Sequence, residues 1–141
     1  MEPRDSASLD ALSWFESLAR LSAWTAAEAP IENVLRLSYH LAALAPSPFG
    51  AIAAATLDEA AFDELLERQA FEAAAAALIG TALSCEIVSR AEGPATGRVW
   101  LEGDTEESLA SSSLPAMALV RAWLAFMLGL NQATGSSHKS A

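Results

Sequence analysis

Residues 114–130 read LPAMALVRAWLAFMLGL, and no other part of the chain is apolar enough to suggest a membrane span. This run is shorter than the roughly 20 residues that a span needs, and Arg121 stands near its middle. Met117, Val120 and Leu124 recur at helical spacing, which makes one side of the segment continuously apolar. The pattern therefore predicts a buried core helix and no membrane span.

The segment that precedes this helix favours β-structure. We expect one β-hairpin over about 81–102, because the residues on either side of 91–97 are apolar and β-favouring without helical spacing. The glycine and proline content of 91–97 itself is typical of a turn. The polar stretch from 103 onward reads as a loop that ends at Ser113, which can cap the helix that Pro115 opens.

Upstream of the hairpin the apolar pattern predicts three helices, over about 8–29, 31–45 and 57–79. Ser8 is expected to cap the first helix, and Pro30 separates the first from the second. Thr56 and Glu59 have the spacing of a capping box at the start of the third. Residues 51–55 fit a short helix and a buried connector equally well.

The apolar stripes of the first two helices are wide. Leu12 shares a helical period with Phe15 and Leu18, and Trp24 widens that stripe. Leu37 broadens the apolar face of the second helix in the same way. Because alanine buries little area, the core must depend on its large residues. We expect these to be Trp14, Phe15, Trp24, Phe62, Phe71, Trp100, Trp123 and Phe126.

These elements define an α+β fold that is mainly α, with three N-terminal helices, one hairpin and one C-terminal helix. The chain has 141 residues, which suits one domain. We expect residues 1–130 to form a single globular domain and the polar residues 131–141 to be a disordered tail.

The charge of the chain limits its partners. Eighteen acidic residues against eight basic ones give a formal net charge of −10. Such a field repels nucleic acid and anionic membrane surfaces, so we expect neither as a partner. A partner selected by charge would be a basic protein. The one cysteine, Cys85, cannot form an intrachain disulfide, and the polar N-terminus does not resemble a secretory signal, so we expect a cytoplasmic protein.

Few residues of the chain could carry out chemistry. His40 is the one histidine within the predicted fold, and neither Arg36 nor Leu44 one turn away could be a second metal ligand. Cys85 is adjacent to Glu86, whose charge disfavours a thiolate, so an inert buried thiol is expected. We therefore predict no catalytic residues, no metal and no cofactor.

The most charged surface of the predicted fold is the outer face of the third helix. It is either a solvated face or a docking surface for a basic partner, and like charges four residues apart repel each other along it. This candidate interaction face consists of Asp58, Glu59, Asp63, Glu64, Glu67 and Glu72.

An isolated hairpin has open edges that seek partners, which favours a homodimer. The sequence therefore predicts a small acidic protein that acts by protein–protein association and not by catalysis. One alternative is a small-molecule or lipid-binding protein with an apolar pocket lined by aromatic residues and alanine. In a third hypothesis the protein is an enzyme with His40 or a carboxylate pair as general base.

Two families share features with the chain. From Phe71 onward the predicted order is helix, hairpin, helix, and the last helix opens with Ser113-Leu114-Pro115 and contains Arg121-Ala122. This half resembles the small phage-derived α-β-β-α "ABA sandwich" proteins, a resemblance that implies no enzyme activity and no site residues. The size, acidity and α+β content of the chain also resemble those of type III secretion chaperones, which implies a dimer that acts on unfolded effector segments.

Overall fold

The fold of the protein, seen in a computed structural model, is of the α+β class and mainly helical, as the sequence predicts. The structure describes residues 10–27, 29–46, 49–53, 55–80, 82–89, 91–101, 103 and 107–140, with side chains only up to residue 130. Within these ranges the helices are α1 (Ala11–Ala26), α2 (Ile31–Ala43), α3 (Gly50–Ala53), α4 (Glu59–Glu67), α5 (Phe71–Leu78) and α6 (Pro115–Ser140). The strands are β1 (Leu83–Val88), β2 (Ala95–Leu101) and β3 (Glu107–Ser112), and they form one antiparallel sheet in the order β1-β2-β3.

Helix α6 lies across the inner face of the sheet. Alternation along the central strand β2 turns Ala95, Gly97 and Val99 toward the helix and buries them. The contact is closest at Gly97, where an added Cβ atom would lie 2.6 Å from the carbonyl oxygen of Ala118. A side chain at this position would therefore hold the helix away from the sheet.

The other side of α6 packs on the helical half of the chain, chiefly on α1 and α5. Trp14 of α1 is fully buried, and its indole N–H donates a hydrogen bond of 2.8 Å to the carbonyl of Leu41 on α2. Phe49, which precedes α3, stacks on Trp14 with 5.7 Å between the ring centroids. One buried core thus joins the first helices to α6, and α6 joins that core to the sheet.

The predicted hairpin is present, but it belongs to a larger sheet. Strands β1 and β2 pair in register, with Cys85 opposite Val99. The loop predicted from residue 103 onward is wrong over Glu107–Ser112, which is β3 and pairs with the other edge of β2. Its sequence is ESLASS, whose serines and alanine have little β-propensity. Small residues are suited to this strand because α6 packs directly against it.

The predicted third helix over 57–79 is two helices. Gln69 has φ 60°, and this left-handed residue ends α4 before α5 begins at Phe71. The amide of Ala70 donates to the carbonyl of Leu65 at 2.9 Å, which closes the helix end in the manner of a Schellman motif. Glycine is the usual residue at such a position, so the sequence carried no sign of this break.

Several helix ends differ from the prediction. Asp10 and Asp58 cap α1 and α4, each accepting a backbone N–H three residues on. The predicted cap Ser8 lies outside the described residues. Thr56 does not cap a helix, since its amide and hydroxyl both donate to the carbonyl of Ala77. The predicted cap Ser113 is replaced by Ser112, whose hydroxyl oxygen accepts a hydrogen bond of 3.3 Å from the amide of Leu114, the residue before α6.

Two boundaries are also corrected. Gly50–Ala53 is helical, which favours the short helix over the connector in that segment. The backbone of α6 is helical to Ser140, so its predicted end near residue 130 is too early. Side chains after Leu130 are not described, and both the disorder of 131–141 and the single domain over 1–130 stay predictions.

The contact at Gly97 can be tested by adding one methyl group. Gly97→Ala would drive its Cβ atom into the Ala118 backbone, and overpacking of this kind should lower the free energy of unfolding by about 1–3 kcal/mol. Gly129→Ala is the matched control, because outside its own helix backbone no described atom lies within 4 Å of its added Cβ and alanine favours the helix by up to about 1 kcal/mol. Urea unfolding of both variants measures the difference. Equal stability of the two would contradict the close approach of α6 to the sheet.

Candidate functional site

The six predicted acidic residues do not form one continuous helix face. Asp58 caps α4, the next four lie on α4, and Glu72 lies beyond the turn at Gln69 on α5. Asp63 is half-buried, and the other five are exposed. The break at Gln69 therefore separates Glu72 from the other carboxylates, although all six remain at or near the surface.

Asp63 is the acidic residue that is most closely held by its neighbours. Arg36 on α2 forms ion pairs with Asp63 and with Glu32, the latter at 3.0 Å. These two side-chain hydrogen bonds raise the pKa of Arg36. Glu64 lies 3.8 Å from Arg68. Among the described contacts none gives a partner to Glu59, Glu67 or Glu72, so these carry the accessible charge of the predicted face.

Tyr39 lies under this acidic surface and connects α2 to α4. Its ring stacks on Phe62 with 4.5 Å between centroids, and its hydroxyl donates to the carbonyl of Leu57 at 2.8 Å. Burial raises the pKa of Tyr39, and the charges of Asp58, Glu59 and Asp63 raise it further. Both effects keep the phenol protonated, as a hydrogen-bond donor to a carbonyl must be.

The two residues considered for chemistry lie apart from each other. His40 is exposed in the last turn of α2. Cys85 lies on β1, half-buried with the residues that face α6, and burial raises the pKa of its thiol. A raised thiol pKa lowers the thiolate fraction at neutral pH and so disfavours nucleophilic chemistry. Within the described ranges, no three His, Cys, Asp or Glu side chains are placed to hold a metal ion.

The outer face of the sheet carries a small charged cluster. Arg98 at its centre lies 3.1 Å from Glu86 on β1 and 3.2 Å from Glu107 on β3. Its guanidinium group also lies 4.7 Å from the ring centroid of Trp100. Trp100 is therefore on the outer face, and its predicted place in the core is wrong. Leu109, 55% exposed, is the largest apolar side chain on β3.

Three large apolar side chains on α1 and α2 are exposed to solvent. Leu12 is 70% exposed, Trp24 36% and Leu37 46%, so the predicted places of these residues in the buried stripes are wrong. Between the two helices lies a groove of about 390 Å³. It is lined by Ser17, Arg20, Leu21, Trp24, Leu37 and Leu41, and we call it the α1–α2 groove.

One signal in the sequence could have revealed this exposure. Leu12, Glu16, Arg20 and Trp24 follow each other at intervals of four, which places them in one row along the helix. Charged residues inside the row indicate that it faces water, and the two apolar residues at its ends must face water with them. The residues that α1 does bury are Trp14, Phe15, Leu18, Leu21 and Thr25.

A second cavity, of about 400 Å³, lies where three helices begin. It is formed by the first residues of α2, α5 and α6 together with the turn at Gln69. Its lining is mostly apolar and includes Ile31, Phe71 and Leu114, with Glu72 as the charged residue. One aromatic residue, Phe71, and three alanines, Ala70, Ala73 and Ala116, belong to this lining.

Comparison with known proteins gives no identification: no family model, no curated protein and no solved structure matches the chain. From Phe71 onward the observed order is helix, three strands, helix, one strand more than the order on which the resemblance to ABA sandwich proteins depends. That resemblance and the one to secretion chaperones stay predictions. Within the described residues, none of the helices combines the length and the apolar character that a membrane crossing requires.

Proposed function

We propose that the protein acts by protein–protein association and not by catalysis, and that it does so as a homodimer. The observation that supports this proposal is the apolar surface of α1 and α2, where Trp24 and Leu37 are exposed in the lining of the α1–α2 groove and Leu12 is exposed near the start of α1. Tryptophan is enriched among the residues that dominate the binding energy of protein interfaces. The proposed role therefore places the contact surface on the first two helices.

Burial of these side chains would stabilise a complex. Complete burial of a fully exposed large apolar side chain contributes about 1.5–3 kcal/mol. Leu12, Trp24 and Leu37 are 36–70% exposed, so each contributes a fraction of this, and a symmetric dimer buries each of them twice. The net charge of −10 opposes self-association in general, but Glu16 and Arg20 are the charged residues of α1 and they cancel. The apolar surface is thus a place where two copies could meet without strong repulsion.

A basic partner at the acidic face is a further part of this proposal. Glu59, Glu67 and Glu72 carry charge that no described contact neutralises, and their field would attract cationic side chains. Addition of a lysine-rich peptide should shift the NMR amide signals of α4 more than those of β3.

A cytoplasmic setting fits the same proposal, since the single Cys85 needs no oxidising compartment.

The cavity at the start of α2, α5 and α6 favours a second candidate function, the binding of a small apolar molecule or lipid. Its volume of about 400 Å³ falls in the range of about 300–1,000 Å³ that is usual for ligand sites. The polar groups at its rim, Gln69 and Glu72, could orient a ligand whose body lies against Phe71 and Leu114.

Self-association can be tested on the surface that we propose. We expect the unaltered chain to sediment as a dimer at micromolar concentration, and Leu37→Asp to weaken the dimer at least tenfold, because a carboxylate would be buried without a partner. Leu109→Asp is the control, since it places the same charge on an exposed leucine of the sheet. Sedimentation velocity across a hundredfold concentration range measures both. A monomer throughout that range would exclude the homodimer.

Ligand binding has a separate test. If the cavity holds an apolar molecule, native mass spectrometry of protein purified from its own host should show added mass, which Ala73→Trp should abolish by filling the cavity. The matched control is Ala43→Trp, at an exposed position outside that cavity. A bare polypeptide mass for the unaltered protein would contradict this second function.

A further inference from the structure

The exposed row on α1 is symmetric in its chemistry. Leu12, Glu16, Arg20 and Trp24, which we call the α1 row, have apolar residues at both ends and two opposite charges between them. Reversing the direction of the helix exchanges one apolar end for the other and exchanges the acid for the base. The row is therefore complementary to a reversed copy of itself.

Two such rows can lie side by side at an interface, each in the groove next to the other. When rows of residues four apart interdigitate, two helices cross at about 50°, which is the commonest class of helix packing. A two-fold axis near the middle of the row then brings Glu16 of each copy to Arg20 of the other, and Leu12 of each copy to Trp24 of the other. The resulting contact is closed and has two equivalent halves.

The contacts of the described arginines support this pairing. Arg20 is exposed, and within the part of the chain that the structure describes no contact gives it a carboxylate partner. The other arginines in that part differ from it in having a partner within the chain. Arg36 pairs with Glu32 and Asp63, Arg68 with Glu64, Arg98 with Glu86 and Glu107, and Arg121 donates to the Ser111 carbonyl.

The shape of the surface fits the same arrangement. Leu12, at 70%, is the most exposed of the large apolar side chains described. In the paired rows it arrives at Trp24 of the second copy, which lines the α1–α2 groove together with Leu37 and Leu41. A groove of about 390 Å³ can receive a leucine side chain, so each copy offers one projection and one recess.

We propose that the α1 row is the centre of an isologous interface with a second copy of this chain, in which Glu16 pairs with Arg20 and Leu12 enters the α1–α2 groove. This proposal rests on the homodimer of the proposed function and specifies its helix, its direction and its register.

Charge reversal tests the register. Glu16→Arg and Arg20→Glu each place like charges in contact twice, so each variant alone should dimerise at least tenfold more weakly than the unaltered chain at low salt. An equimolar mixture of the two should form a heterodimer of near-normal affinity, because both contacts are then of opposite charge. The double variant Glu16→Arg/Arg20→Glu should also recover the homodimer. Glu64→Arg on α4 is the matched control and should leave dimerisation unchanged.

The outcomes separate the two proposals. Sedimentation velocity gives the affinity, native mass spectrometry identifies the heterodimer, and far-UV circular dichroism confirms that these surface variants remain folded. Dimerisation that is unchanged by both reversals, or a mixture with no heterodimer, would overturn the register and leave the homodimer standing. A monomeric unaltered chain would overturn both proposals.

Cross-linking tests the contact at the ends of the row. In a Cys85→Ser background, a mixture of Leu12→Cys and Trp24→Cys chains should form the mixed disulfide on mild oxidation. Each variant oxidised alone should give little disulfide, because the paired rows place like residues at opposite ends of the interface. Disulfides that form mainly between identical Leu12→Cys chains would contradict the antiparallel arrangement.

Discussion

The packing of α6 on β2 at Gly97 is the contact on which the rest of the structure depends. Backbone meets backbone there, since a Cβ atom at residue 97 would lie 2.6 Å from the Ala118 oxygen and 2.7 Å from the Leu119 Cα atom. This close approach buries Val99 beneath the helix, and the other side of α6 still presents Trp123 and Leu124 to the helical core. Helix α6 thereby packs against both the sheet and the helical layer, which have little direct contact with each other.

This packing also determines which apolar side chains remain outside the core. The core takes its volume from Trp14, Trp123 and Phe62, all of which are almost fully buried. The buried side of α1 is filled by residues that meet α6 and α2, so Leu12 and Trp24 lie on the side that faces water. Burial against a second molecule would remove these side chains from water, which lowers the free energy of the system. The association that we propose is therefore a consequence of how the core is filled.

Much of the fold could be predicted from periodicity. The apolar repeat of 114–130, the proline between α1 and α2 and the turn before β2 were sufficient for the class and for most elements. The third strand could not be predicted, because serine and alanine indicate a strand only when a helix is known to pack on it. The break at Gln69 could not be predicted either, since a left-handed glutamine is stabilised by helix-end hydrogen bonds that appear only in the folded chain.

The candidate surfaces, like the fold, could be predicted only in part from the sequence. The acidic residues of α4 could be identified because charge clusters are visible in sequence, but the pairing of Asp63 with Arg36 depends on how α2 meets α4. The exposed side chains of α1 and α2 were missed because an apolar residue does not by itself indicate whether the fold buries it. For Leu12 and Trp24 the charged Glu16 and Arg20 between them were a usable signal. Leu37 has the same chemistry in a core and in an interface, and only the placement of neighbouring helices distinguishes the two.

Native-state hydrogen exchange tests most directly whether α6 unites the two layers. If it does, the slowest amides of α1, β2 and α6 should exchange only through global unfolding and report one common free energy. The same result should hold when urea lowers that free energy. Slow amides of β2 that open at a clearly lower free energy than those of α1 would show two independent units, and would contradict the account.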